Sequence, residues 1–358
     1  MKTGIITLSS AQNYGAVLQC HSLCKFINDN YSEAEIIDFT PDFIVGRYPV
    51  FTVDKSSLYS LAKSFVGSVL RFPIIKKRYN RFRDFRNLNA YYSQNKYVRS
   101  YDADDYDQYI VGSDQVFNLE LTKYDTEYFL PRISGEKKAT YAASLGVSSL
   151  NDKQASIFKN GLNDFKNISI REKVGSEIIQ SIFPDRNIYQ MIDPVFLNSK
   201  EYWKTVSSSR IYKKKYILIY AFIDFDKAYS IAKKFDSKLD ILYICDSLKK
   251  TRKDVKNIRG VGPKEFLSLI YNAECIVTDS FHGTAFSVIF NKPFYSIPYK
   301  GTESRFIDML NIFNLDNRIV DSDNVVLSSE IDYKLVNNEI GHRIDLAKSY
   351  FNNVYNKD

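Results

Sequence analysis

The segment Thr278-Asp279-Ser280-Phe281-His282-Gly283-Thr284 joins the apolar run ECIV to an apolar stretch of helical character. His282 is one of three histidines, and only it sits at such a strand-to-helix turn. Imidazole titrates near neutrality, so a histidine opening onto a cleft is a candidate general acid/base. The alternative is a histidine that bonds only its own loop. Arg171 ends another short run, ISI, where its planar fork either grips a carboxylate or phosphate through two parallel bonds or forms a surface ion pair. Arg305 opens the next helical stretch after His282. Two arginines and a histidine around one helix start describe an anion site.

Two more polar loops follow apolar runs. After GIITL comes Ser9-Ser10-Ala11-Gln12-Asn13-Tyr14-Gly15, and after YIVG come Ser113, Asp114 and Gln115. Free N–H groups at a helix start suit an anionic or hydroxyl-rich ligand, and a carboxylate beside an amide can bind sugar hydroxyls. Each loop also reads as a helix cap and a tight turn. The chain has no G-x-G-x-x-G and no Walker lysine, so Rossmann-type dinucleotide binding and P-loop hydrolysis lack their chemistry. Cys20, His21 and Cys24 look like half a zinc site, but the cysteines are four apart on one helical stretch and no second ligand pair matches them. They read as a buried helix face, and no metal or cofactor site is expected.

The elements that must position these residues alternate from the start. GIITL, a helix over 14–27 and AEIIDF form a βαβ opening, and YDQYIVGSD, ATYAASLG and NISIR supply further strands. A second series runs through KYILIYAF, LDILYI, ECIVTDS and KPFYSIP, with helices between. The expected architecture is two doubly wound α/β domains, 1–205 and 206–328, facing a cleft at the carboxyl ends of their strands. Residues 41–105 read as a helical insertion rich in basic and aromatic residues, and 329–358 as a helix packing back on the first domain. The chain has 358 residues, 44% apolar and 25% charged, which excludes disordered, collagen-like and coiled-coil classes.

The net charge of +7 is concentrated: residues 71–86 hold seven basic residues against Asp84 alone, leaving the rest too neutral for a nucleic-acid binder. Phe72, Ile74, Ile75, Tyr79, Phe82 and Phe85 interleave with these cations, as in a helix lying on an anionic membrane, or in a solvated charged helix or partner surface. Four scattered cysteines make no disulfide framework, and MKTGIITLSS is far short of a signal peptide or membrane span. A soluble cytoplasmic protein is expected, peripheral at the inner membrane face if 71–86 binds lipid.

Taken in order, N-Y-G-A at Asn13–Ala16, G-S-D-Q-V-F at Gly112–Phe117, S-I-R-E at Ser169–Glu172, D-P-V-F at Asp193–Phe196, T-D-S-F-H-G-T-A at Thr278–Ala285 and S-R-F at Ser304–Phe306 resemble the polysaccharide pyruvyl transferase family. The resemblance runs from the first strand to about residue 312. It implies a GT-B-like fold and transfer of pyruvyl from phosphoenolpyruvate to a sugar diol as a cyclic ketal. It implies His282 as the catalytic histidine, with Arg171 and Arg305 on the donor's carboxylate and phosphate. Better-known members carry an arginine where this chain has Ser280. Donor binding is then expected to draw on Arg171, Arg305, Ser280, Gly283, Thr284 and Lys300, and acceptor binding on Gln12, Asn13, Tyr14, Asp114 and Gln115. A nucleotide-sugar glycosyltransferase on the same scaffold and a non-catalytic sugar-binding subunit are the rival readings.

Overall fold

The computed structural model describes the chain except residues 50–53, 55, 89–90, 98–104, 249, 300–302, 321–329 and 357–358. Its first half runs β1 (Lys2–Ile6), α1 (Tyr14–Asn30), β2 (Glu33–Phe39), α2 (Asp42–Val45), α3 (Leu58–Arg86), β3 (Tyr92–Tyr97), β4 (Gln108–Val111), β5 (Lys138–Thr140), α4 (Asp152–Leu162), β6 (Ile168–Ile170), α5 (Lys173–Ile182) and β7 (Ile188–Gln190). After α6 (Lys200–Val206) come β8 (Tyr216–Tyr220), α7 (Phe225–Phe235), β9 (Asp240–Ile244), β10 (Val255–Ile258), α8 (Pro263–Tyr271), β11 (Cys275–Thr278), α9 (Phe281–Ile289), β12 (Phe294–Ser296), α10 (Glu303–Ile312) and α11 (Tyr333–Tyr355).

The strands form two parallel sheets, ordered β3-β2-β1-β4-β5 and β10-β9-β8-β11-β12, and β6 pairs with β7. Single bridges, Ala139 to Asn167 and Ala143 to Ile170, continue the first sheet into that pair. Ile5, Ile110, Ile217 and Ile276 have no exposed surface, because helices cover both faces of each sheet and a strand there must be apolar on both sides. Strand order reverses next to β1 and next to β8, so both sheets are doubly wound and their central strands end at one crevice.

Three strands do not stand out in the sequence. Tyr92–Tyr97, inside the segment read as helical, pairs in parallel with β2 as the edge strand β3; an edge tolerates its polar run YSQNKY, while the Tyr92 hydroxyl meets Cys20 Sγ at 3.4 Å. Tertiary pairing overrides local pattern there. β7 and β10 are only three and four residues long and only partly buried, too short for alternation to show. ATYAASLG contributes only its start to β5, because Ala142 and Gly146 take positive φ and turn the chain toward the crevice.

α3 is a 29-residue helix that ties the two halves together. Ser57 Oγ caps its start, and its second half buries Phe82 and Phe85. Arg78 bonds Asp246 and the Gln12 carbonyl, Arg81 bonds the Gly260 carbonyl and pairs with Glu265, and Arg86 holds the carbonyls of Ser9, Ser10 and Ala11. The interleaved segment is therefore not exposed throughout. The exposed apolar side chains of α3 lie mainly upstream, at Tyr59, Phe65, Val66, Val69 and Leu70. No described helix is long and apolar enough to cross a membrane. α11 lies against the first sheet: Tyr350 Oη donates to the Thr140 carbonyl at 2.5 Å, and Phe351 stacks on Tyr141.

Candidate active site

β11 ends at Thr278, and Ser280 caps α9 by accepting from Gly283 N at 3.3 Å. This cap places His282 in the first turn, facing the end of the first sheet. Its Nε2 lies 3.5 Å from Asp193 Oδ2, and its ring rests on Gly15 at the start of α1. A Cβ at Gly15 would stand 1.9 Å from His282 Nδ1, so only glycine admits the ring. The histidine is 8% exposed and wedged between the two halves of the molecule.

Asp193 follows β7 and sits in a short turn whose Val195 N–H donates to its Oδ1. Arg171 Nη1 donates to its Oδ2 at 2.7 Å, and Ser113 Oγ lies at 3.4 Å from the same atom. Burial alone would raise this carboxyl, but His282 and Arg171 outweigh that and hold it well below the usual carboxylate range. The other edge of Arg171 meets Glu172, which also accepts from Ser144 Oγ at 2.6 Å. Burial works against the guanidinium charge, yet Glu172 and Asp193 keep Arg171 firmly protonated. The fork that the sequence offered to a donor anion is thus filled by two carboxylates. Arg171 also stacks on Phe281, 4.4 Å from the ring centroid.

Arg305, on α10, differs. It is largely buried, its Nε has no hydrogen-bond partner among the described residues, and burial together with the nearby Arg171 lowers its pKa. A cation held this way gains from an incoming anion. Arg305 and His282 line a cavity of ≈ 140 Å³ with Asn13, Asp114, Gln115 and Ser280. Asp279 lies there too, its Oδ2 accepting from Phe222 N and Ile223 N, and burial raises its pKa. The cavity thus offers a guanidinium whose Nε has no partner among the described residues, an imidazole, amides and carboxylates.

The remaining expected residues fall elsewhere. Gln12 and Tyr14 line a neighbouring cavity; the Tyr14 hydroxyl donates to the Val261 carbonyl, and its ring stacks on Phe266. Gly283 packs on Thr278, and Thr284 is fully buried against Ser296 at 2.7 Å, so neither faces the His282 cavity. Only the outer turn of this helix start opens to the crevice. Lys300 lies outside the described residues. Asn13 serves as the α1 cap, its Oδ1 accepting from Ala16 N. Asp193 was missed as a site residue; its signal was an Asp-Pro pair after a short strand, which only the fold sets beside His282. Cys20 and Cys24 are buried and bond backbone carbonyls, and no metal-holding cluster occurs among the described residues.

A family model described as polysaccharide pyruvyl transferase matches residues 13–301, which contain the second sheet, all of the first except β1, and the residues of this cavity except Arg305 and Phe306. The chain belongs to the polysaccharide pyruvyl transferase family. No curated protein sequence gives a match. Among solved structures, UDP-GlcNAc 2-epimerase from Methanocaldococcus jannaschii is similar at 14% identity and a TM-score of 0.50, covering 98% of this chain and 100% of that one. The glycosyltransferase SnogD from Streptomyces nogalater is similar at 9% identity and a TM-score of 0.44, with 99% of each chain covered. With the two doubly wound sheets, the epimerase likeness makes the pyruvyl transferase chain a GT-B-like α/β fold.

Proposed function

We propose that the protein moves the pyruvyl group of phosphoenolpyruvate onto two hydroxyls of a surface-polysaccharide precursor sugar, as a cyclic ketal, with release of phosphate. The observation that carries this reading is the pairing of His282 with the unsatisfied Arg305 in one cavity of a pyruvyl transferase chain. Phosphoenolpyruvate places carboxylate and phosphate on one carbon. Arg305 and the uncapped first-turn N–H groups of α9 meet that charge, and Asn13, Asp114 and Gln115 bind the diol on the opposite wall. One sugar oxygen bonds C2 while C3 gains a proton. The C2–O bond to phosphate then breaks, and the second hydroxyl closes the ring and gives its proton to the departing phosphate. His282 carries protons between hydroxyl and carbon, Asp193 stabilises its cationic form, and Arg305 stabilises the departing phosphate.

Because Asp114 and Asp279 face the same cavity, Arg305 bears most of the anion binding. Thermal-shift titration is expected to show stabilisation by phosphoenolpyruvate that Arg305→Ala abolishes, with about 2.7 kcal/mol at a hundredfold excess over Kd. Stabilisation by UDP-, GDP- or CMP-sugars alone would move the function to glycosyl transfer.

We also place the enzyme at the cytoplasmic face of the membrane, where a lipid-linked acceptor would be met. In support, α3 exposes Phe65, Val66, Val69 and Leu70, and residues 55–83 contain no acidic residue. Co-sedimentation with anionic but not zwitterionic vesicles, weakened by Val66→Asp, is expected; equal behaviour on both vesicles refutes the placement.

A further inference from the structure

Beside the His282 cavity lies a larger one, of ≈ 390 Å³, between α3 and the ends of β8 and β9. Arg47, Arg71 and Arg78 face it against a single carboxylate, Asp246. Arg78 is bound to Asp246 at 2.9 Å and to the Gln12 carbonyl at 2.8 Å, although its Nε is buried without a partner. Arg47 gives one N–H to the Leu121 carbonyl, and Arg71 stands exposed at the rim, on the same helical face as Arg78. One arginine is thus neutralised and two keep their charge. Tyr48, Tyr243 and Phe222 add ring surface, as sugar-binding walls do. Phe222 lines both cavities, and the adjoining residues Gln12 and Asn13 line one each.

We propose that this second cavity binds the diphosphate of a glycosyl diphosphate acceptor. Arg71 and Arg47 grip the phosphoryl oxygens, and the sugar reaches past Phe222 to His282. Two guanidinium forks without carboxylate partners among the described residues match phosphoryl oxygens and are wasted on neutral hydroxyls. The proposal rests on the pyruvyl-transfer reading only for the direction in which the sugar points. The diphosphate can come from a nucleoside or from a lipid carrier, and the experiment separates the two.

Inorganic pyrophosphate is titrated calorimetrically into the full chain in the presence of saturating phosphoenolpyruvate. Binding in the wild type, weakened tenfold or more by Arg71→Ala and further by Arg47→Ala, supports the site; thermal melts of both variants, changed at exposed positions, check that they fold. Absence of binding, or binding unchanged by either substitution, overturns it. Arg305→Ala separates the two readings: it is expected to abolish phosphoenolpyruvate binding and leave pyrophosphate binding intact. If pyrophosphate binding is lost with Arg305→Ala and retained with Arg71→Ala, the anion sits in the His282 cavity and the second site is rejected. UDP and farnesyl diphosphate form the last arm. A tenfold gain over pyrophosphate for UDP assigns a nucleoside diphosphate, and the same gain for farnesyl diphosphate assigns a lipid carrier.

Discussion

Asp193 shows how one buried carboxylate can serve both stability and chemistry. Arg171 and a backbone N–H fix its position, and it then presents Oδ2 to His282. Its folded pKa lies below the unfolded one, so its contribution to stability is complete above about pH 4 and is lost as pH falls further. At neutral pH it is an anion facing an imidazole. Asp193→Asn keeps the shape and removes the charge; kcat is expected to fall about 10²-fold or more while phosphoenolpyruvate still binds. An unchanged kcat together with a lowered denaturation midpoint would mean that Asp193 acts only on packing. Removing His282 as His282→Ala is expected to cost about 10²–10⁴ in kcat while phosphoenolpyruvate still binds through Arg305.

Between elements, α1 and α9 approach at Gly15 and His282, one helix from each half of the molecule. Gly15→Ala would drive a methyl into the imidazole. The variant is expected to keep most of its thermal stability, since the ring can swing out, and to lose at least 100-fold in kcat/KM because the ring proposed to carry the protons is displaced. α1 also carries His21, packed on Phe85, Tyr91 and Trp203, with Nε2 bonded to the Tyr202 hydroxyl. Burial, with Lys25 and Lys264 adding to it, pushes its pKa down to about 3. The unfolded chain therefore binds one more proton between pH 3 and about 6.5, and stability falls as pH is lowered through that window, by at most about 1.4 kcal/mol per pH unit. Denaturant midpoints at pH 7 and pH 5 should differ less in His21→Phe than in the wild type.

For the whole molecule, the crevice depends on what holds the two sheets together. α3 spans them through Arg78, Arg81 and the buried Phe82, and Tyr14 lies between Phe82 and Phe266. α11 closes the first sheet with Tyr350, Phe351 and Tyr355, the last bonded to Thr3 at 2.9 Å. Tyr350→Ala removes a fully buried ring and its bond to Thr140, and is expected to cost about 3–5 kcal/mol in urea unfolding. A loss below 1 kcal/mol would show that α11 docks too loosely to stabilise the first sheet.

The sequence by itself determined the two doubly wound halves, since runs such as YILIY and CIVT are apolar on both faces and fit only a covered parallel strand. It also pointed His282, just past β11, and Arg305, at the start of α10, toward the crevice, and both line one cavity there. Only the tertiary structure decided which groups were free. Arg171 and Arg305 are alike in sequence, yet Glu172 and Asp193 fill one fork, while the other keeps an Nε with no partner among the described residues. Only the fold brought Asp193 to His282 and seated the imidazole on Gly15. It also turned half of the basic segment inward, because ion pairs across a crevice depend on how two sheets are set against each other, which local periodicity does not encode.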